Sequence, residues 1–221
     1  MHAVLADPHR LAVLHHVALG DRSPRDLAEL LDLSMPLMSH HLKVLTDCSL
    51  VARIPSEHDR RQKFVTVQPS ALAFLDREWL RDRATAPSGR VVFACTKNSA
   101  RSVLAAALWS NCFKRPTAAG GTAAGSRLHP RTVRTARRHN LQLLQESPVA
   151  LDAVLSDQDL LVTVCDAANE HIDSHPHRLH WSIPDPVIRN TDRNFDHAFQ
   201  QIAQRIARLG LALSLDTKEE K

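Results

Sequence analysis

Residues 90–102 read RVVFACTKNSARS. Arg90–Ala94 is a short apolar strand, Cys95–Ser102 a polar loop, and Val103–Phe113 a helical run. This strand–loop–helix order decides the class of the second half of the chain. Backbone N–H groups in such a loop converge at the N-terminus of the following helix, where aligned peptide dipoles favour a tetrahedral anion. Thr96, Lys97, Asn98, Ser99 and Ala100 line that cradle, and the guanidinium of Arg101 is able to grip two anion oxygens. The same positive surroundings favour the thiolate of Cys95, the reactive form of a cysteine. Asn98 is placed to hold the loop shape, and Ser102 to hydrogen-bond the sulfur. A bare CxxxxxR is a weak pattern, and CxxNSxRS directly after VVFA is far more specific.

Downstream, residues 129–140 are helical again, 159–164 (DLLVTV) form a continuous apolar strand, and 194–209 an amphipathic helix. Strands alternating with helices predict an α/β domain with a buried parallel sheet. Arg131, Arg134, Arg137 and Arg138 give one helix a basic face. Such a face is usually solvated, and the alternatives are phosphate contacts or docking against the first domain.

Upstream the grammar differs. Residues 8–19 (PHRLAVLHHVAL) place Leu11, Leu14 and Val17 or Ala18 at helical spacing before Gly20. Ser23-Pro24-Arg25-Asp26 starts a second helix with a cap, a first-turn proline and an acid three residues after the cap, burying Leu27, Leu30 and Leu31. Ser34 caps a third helix through Thr46, with Met38, Leu42 and Leu45 on one face and Ser39, His40, Lys43 and His41 assigned to the other. Leu50–Ile54 and Lys63–Val67 are β-rich and flank the polar segment 55–62, which reads as a hairpin. Helix, short turn, polar-faced helix and charged hairpin make a winged helix-turn-helix. Residues 70–85 predict one more amphipathic helix, with Leu72, Leu75, Trp79 and Leu80 apolar. Ala86–Gly89 reads as a linker, giving domains 1–86 and 90–213.

Charge supports this division. Residues 1–88 carry eleven Lys/Arg and eleven Asp/Glu, so bulk basicity cannot drive DNA binding. Residues 39–63 hold five basic side chains (Lys43, Arg53, Arg60, Arg61, Lys63) against three acidic, so a DNA-binding charge must be focused there. The chain has six Phe, three Trp and no Tyr, which predicts aliphatic cores. No apolar run approaches a membrane span and no signal peptide opens the chain. Four irregularly spaced cysteines make neither a disulfide framework nor a zinc pair, which suits a reducing cytoplasm. The fourteen histidines follow no family metal pattern, so no metal is expected.

LADPHRLAVL, DLAELLDLSMPLMSHHLKVL and EHDRRQKFV together resemble the arsenical-resistance repressor (ArsR-like) family over residues 3–70. The resemblance implies a homodimer on operator DNA, with the Ser34–Leu45 helix in the major groove. Ser34, Ser39, His40, His41 and Lys43 would contact DNA there, and Arg60, Arg61 and Lys63 would do so from the wing. A helical domain that binds protein or only dimerises is the alternative. VVFACTKNSARS, HPRTVRTARRHNL, DLLVTVCDAANE and HWSIPDP resemble the low-molecular-weight tyrosine phosphatase fold, and within it the arsenate reductases. The overall expectation is thus two domains, a mainly α winged helix-turn-helix followed by an α/β parallel-sheet phosphatase-like domain.

That resemblance implies that Cys95 attacks the oxyanion and Asp185, beside Pro186, protonates the leaving oxygen, with Arg101 and Ser102 assisting. It places Cys165 as the resolving thiol of a relay. The third thiol of that relay would fall at Ile172, and the acid of a potassium site at Ala106, so both are missing. The arsenite-binding cysteines of some repressors would fall near Ser23–Arg25, and Cys48 and Cys112 read as buried small residues. No bound cofactor is implied. The reductant is external, either a low-molecular-weight thiol with a redoxin or thioredoxin. The rivals to a repressor–arsenate reductase fusion are a protein phosphatase fused to a regulator and a non-catalytic oxyanion-sensing transcription factor.

Overall fold

The computed structural model describes residues 2–75, 80 and 89–213. The chain divides into two compact units, Met1–Arg83 and Ala84–Lys221.

The first unit opens with α1 (His2–Leu5), α2 (Pro8–Ala18), α3 (Pro24–Leu30) and α4 (Met35–Asp47). Each of the last three starts on a side-chain cap followed by proline, which lacks the N–H that a first helical turn cannot satisfy. Asp7 accepts from the backbone of His9 and Arg10, and Ser34 from that of Leu37. Ser23 and Asp26 close a reciprocal capping box. Strands β1 (Val51–Pro55) and β2 (Lys63–Val67) pair antiparallel from Val51↔Val67 to Pro55↔Lys63, and Arg22 adds a bridge to Val65. Val13, Leu14, Val17, Leu27, Met38, Leu42, Leu45, Leu50 and Val65 form the core.

Two expectations need correction here. Leu30 is exposed (47 %) while Leu27 is buried, because α3 lasts only seven residues and turns one narrow face inward. The helix expected from residue 70 is a 3-10 turn, Pro69–Phe74, that ends at an extended Leu75. The rest of it lies outside the described residues apart from Leu80, as does most of the linker.

The second unit contains β3 (Val91–Cys95), α5 (Arg101–Phe113), β4 (Thr117–Gly121), α6 (Pro130–Arg138), β5 (Leu160–Thr163), α7 (Asp166–His171), β6 (Arg178–His180), α8 (Pro186–Arg189) and α9 (Asp192–Ala212). The sheet is parallel throughout, in the order β4-β3-β5-β6. β3 and β5 are buried at every residue, as strands of a covered parallel sheet must be. The core is not purely aliphatic as composition suggested. Phe93, Trp109, Trp181 and Phe195 are among the largest fully buried side chains, and Phe93 meets Trp109 at 6.2 Å and Trp181 at 5.8 Å between ring centroids. Among the described residues, six of the eight Phe and Trp side chains belong to this unit. The basic face of α6 is engaged within the unit: Arg131 and Arg134 pair with Asp192 and Arg138 with Asp196, all at the start of α9.

The strand order positions the site. After β3 the chain goes to β4 on one side, whereas β5 lies on the other. The carboxyl end of β3 is therefore a topological switch point, where open α/β sheets leave a ligand crevice. Cys95 is the last residue of β3. No helix among the described residues is long and apolar enough to cross a membrane.

Candidate functional site

The loop after β3 is held from outside. The carbonyls of Cys95, Thr96, Lys97 and Ser99 accept from the N–H groups of Thr122, Ala123, Gly125 and His129 at 2.9–3.1 Å, and Thr132 Oγ1 also donates to Ser99. A trans peptide points its N–H opposite to its C=O, so fixing these carbonyls outward turns the intervening N–H groups inward. Helix α5 begins at Arg101 with no side-chain cap, and a helix start of this kind is suited to an anion. The loop expected from sequence is thus built as a cradle, with Cys95, Asn98, Ala100, Arg101 and Ser102 buried, Thr96 and Ser99 half-buried, and Lys97 exposed.

Cys95 Sγ lies 3.1 Å from Ser102 Oγ. Asn98 Nδ2 donates to that same hydroxyl oxygen at 3.0 Å, which leaves the Ser102 proton free for the sulfur. Asn98 sits at φ 48°, in the left-handed region that Asn tolerates. Its side-chain oxygen accepts from Val149 N at 2.7 Å and Gln145 Nε2 at 2.6 Å. The sequence marked Asn98 as a loop holder but gave no sign of its partners. Gly121, at the end of β4, is another residue that sequence reasoning missed. A Cβ there would stand 2.8 Å from the Thr96 carbonyl oxygen and 3.0 Å from Asn98 N, so only glycine lets the loop backbone lie against this strand. The signal was the Gly-Gly pair of TAAGG.

Across the cradle, Arg101 donates from Nη1 to the Ile183 carbonyl and from Nη2 to Asp185 Oδ2, both at 2.8 Å. Asp185 Oδ1 accepts from Val187 N at 3.0 Å, capping α8. The two charged residues that the resemblance assigned to catalysis are therefore in direct contact, with the arginine 9 % exposed and the aspartate 30 %.

Cys165 is buried beside the loop, 3.5 Å from Thr96 Oγ1, and its sulfur accepts from Ala168 N as the cap of α7. Burial pushes its thiol up. The nearby Cys95 adds to that shift, while Arg101, Thr96 and the Ala168 N–H oppose it. Behind it, Thr163 Oγ1 meets His180 Nδ1 at 2.9 Å and His180 Nε2 meets Asp166 at 3.1 Å, a buried network tying α7 to β5 and β6. Ile172, at the position expected for a third thiol, packs against the apolar cluster of Val92, Ala94, Leu151 and Leu161, and Ala106 is buried in α5. Cys48 and Cys112 are half-buried rather than fully buried, and burial raises the Cys112 thiol.

On the first unit, Ser39, His40 and Lys43 face solvent from α4, and Arg60, Arg61 and Lys63 from the hairpin. Lys43 pairs with Asp47 at 2.6 Å, a surface contact that adds little stability. Ser34 is exposed, and its hydroxyl caps α4 at 3.4 Å from Leu37 N. His41 is a correction. It is 4 % exposed and turned inward, three residues after Met38 and four before Leu45, which puts it on the apolar face of α4. Its Nδ1 lies 3.8 Å from Asp7 Oδ2. Burial pushes its pKa down, with Asp7 opposing and His9, Arg10 and His40 adding to the fall.

Comparison with known proteins agrees with this division. A model of the low molecular weight phosphotyrosine protein phosphatase family matches residues 90–220, and one of the MarR family matches 7–62. An arsenical resistance operon repressor of Staphylococcus xylosus is 44 % identical over 48 residues, covering 22 % of this chain and 46 % of that protein. The chain thus spans about half the length of the curated relative it matches. Among solved structures, the YwlE mutant of Bacillus subtilis superposes with a TM-score of 0.51 at 17 % identity, over 57 % of this chain and 98 % of its own, which is a likeness of fold. An arsenate reductase from Archaeoglobus fulgidus DSM 4304 is 26 % identical, covers 54 % of this chain and 97 % of its own, and has a TM-score of 0.48. With a cysteine–arginine cradle at the switch point of its sheet and a winged helix ahead of it, the chain belongs to the low molecular weight phosphotyrosine protein phosphatase family.

Proposed function

We propose that the chain is a fusion of a dimeric transcriptional repressor and an arsenate reductase. The observation that carries the enzymatic part is the arrangement of Cys95 Sγ on Ser102, at the base of a backbone cradle whose far wall is the Arg101–Asp185 pair. Cys95 sulfur attacks arsenic(V), and Asp185 protonates the oxygen that leaves as water. A low-molecular-weight thiol then attacks Cys95 Sγ. The sulfur–arsenic electron pair stays on arsenic, releasing arsenite and a mixed disulfide, and a redoxin acting with a second thiol restores Cys95. Arsenate rather than an aryl phosphate is favoured by the arsenical-resistance theme of the repressor relative and by the absence of any tyrosine beside Asp185-Pro186. The test is an arsenate reduction assay with several thiol donors, run in parallel with aryl phosphate hydrolysis. Thiol-dependent arsenite formation is expected. Phosphate release without arsenite would transfer the reading to a phosphatase, and oxyanion-dependent DNA release without turnover to a sensor.

The external-thiol route makes a prediction at Cys165. Its raised pKa leaves little thiolate at neutral pH, and its sulfur serves as the cap of α7. Serine is a good cap, so Cys165→Ser should fold normally and retain turnover within about twofold with a small thiol and its redoxin, given the small change in cap strength. Loss of turnover with normal arsenate binding would show that Cys165 performs the resolving step.

For the repressor half, Arg60 and Arg61 are exposed on the hairpin and suited to phosphates. Replacing both by alanine should weaken binding to all sequences alike and reduce the slope of log affinity against log salt by about one per lost contact. His40→Ala or Ser39→Ala should change sequence preference instead. Salt titrations on operator and random DNA would check this, and unaltered binding in all these variants would remove the DNA-binding assignment. His41 is excluded from that surface by its burial.

A further inference from the structure

We infer that Asp7, His9 and His41 form a binding site for a borderline divalent cation of the zinc class, joining the cap of α2 to helix α4. One ligand atom from each residue lies within 4.8 Å of the others. His9 Nδ1 is 3.7 Å from Asp7 Oδ1, and His41 Nδ1 is 3.8 Å from Asp7 Oδ2. These separations suit donors that each approach one ion at about 2.0–2.2 Å, the distance zinc keeps to imidazole nitrogen and carboxylate oxygen.

The second observation is independent of that spacing. Both ring nitrogens of His41 are buried without a hydrogen-bond partner among the described residues. Buried polar atoms in folded proteins almost always have partners, and an orphaned one calls for an explanation such as an absent ion. The His41 ring faces His9, with centroids 5.6 Å apart. The other charged groups around it are Arg10 on α2 and His40 on α4. Arg10 stands 3.6 Å from Asp7 Oδ2 and would have to yield that oxygen, and it already donates to the Val4 carbonyl from Nε. His9 is 46 % exposed, which gives an ion an entry path and leaves room for water as a fourth ligand. Two imidazoles and one carboxylate, with no thiolate, make a nitrogen–oxygen site of the kind that takes zinc, nickel or cobalt. No metal pattern is visible along the chain because the three ligands come from two distant segments.

The test uses the untagged full chain, titrated with Zn²⁺ against a chromophoric chelator and with Co²⁺ for its absorption spectrum. One equivalent of zinc is expected, with cobalt bands of a nitrogen–oxygen site and no sulfur-to-cobalt charge transfer. His9→Ala removes an exposed ligand, and Asp7→Asn keeps the cap of α2, since asparagine caps as well as aspartate. Both should lose this binding step while retaining helicity and thermal transition, whereas His41→Ala risks the core and serves only as a third check. Unchanged zinc stoichiometry and affinity in His9→Ala and Asp7→Asn, a thiolate-type cobalt spectrum, or no zinc uptake at all would overturn the site.

Discussion

Cys95→Ser is expected to abolish arsenate turnover, by on the order of 10⁴–10⁶-fold, the scale on which enzymes lose rate when a nucleophile is removed. The sulfur is buried at the end of the central strand, 3.1 Å from Ser102 Oγ, and each step of the proposed reaction forms or breaks a bond to it. Serine is smaller and its hydroxyl is not ionised at neutral pH, so it neither attacks arsenic nor accepts a disulfide. The cradle is made of backbone groups whose carbonyls are held by residues 122–129, and these contacts do not involve the sulfur. The variant should therefore fold and still bind an oxyanion such as phosphate. Arsenite formation measures the first property, and protection against thermal unfolding by the anion measures the second. Residual turnover near wild-type level would overturn the nucleophile assignment. Loss of anion binding along with turnover would show that the thiol helps to hold the cradle.

Asp185→Asn should separate chemistry from binding. Turnover is expected to fall roughly 10²–10⁴-fold, the usual contribution of a general acid. Oxyanion affinity should rise severalfold instead of falling. Asp185 Oδ2 accepts from Arg101 Nη2 at 2.8 Å, so an incoming anion competes with this carboxylate for the guanidinium. A ligand that needs an open fork binds with its intrinsic affinity scaled by the fraction of molecules in which the fork is open. Asparagine accepts from Val187 N as the aspartate does, so α8 stays capped, but it carries no charge to hold the guanidinium. Arg101 keeps its bond to the Ile183 carbonyl and stays in the pocket. Single-turnover rates and anion titrations on the same preparation separate the two effects. Affinity that drops in step with rate would mean that Asp185 positions Arg101 rather than competing for it.

The parts of this molecule legible in its sequence were those with a local cause. Ser23 and Ser34 marked two helix starts, and CxxNSxRS announced the cradle because loop, helix and arginine are consecutive. Burial in strands β3 and β5 could be read from unbroken apolar runs. β4 escaped notice because Thr-Ala-Ala-Gly-Gly has little strand preference, and its glycines are there for the neighbouring loop. β6 and α8 span only three and four residues, too short for any periodicity to register. His41 was misplaced by reading SHH as one polar face, although its spacing from Met38 and Leu45 put it inside. The Asn98–Val149 and Arg101–Asp185 contacts join segments far apart in the chain, and no local rule announces them.

The Asn98 ties also bear on when Cys95 acquires its surroundings. A chain is synthesised from its N-terminus, and domains fold as their residues become available. The complete loop, Cys95 to Ser102, exists before Gln145 and Val149 have been added, 47 and 51 residues beyond the asparagine they hold. Asp185 follows later still, 84 residues after its arginine. A growing chain therefore carries the whole loop motif before the contacts that hold Asn98 and Arg101 exist. The thiol reaches the surroundings described above only once the rest of the sheet has closed around it, and a truncated product ending before residue 145 would display the motif without the two groups that hold Asn98.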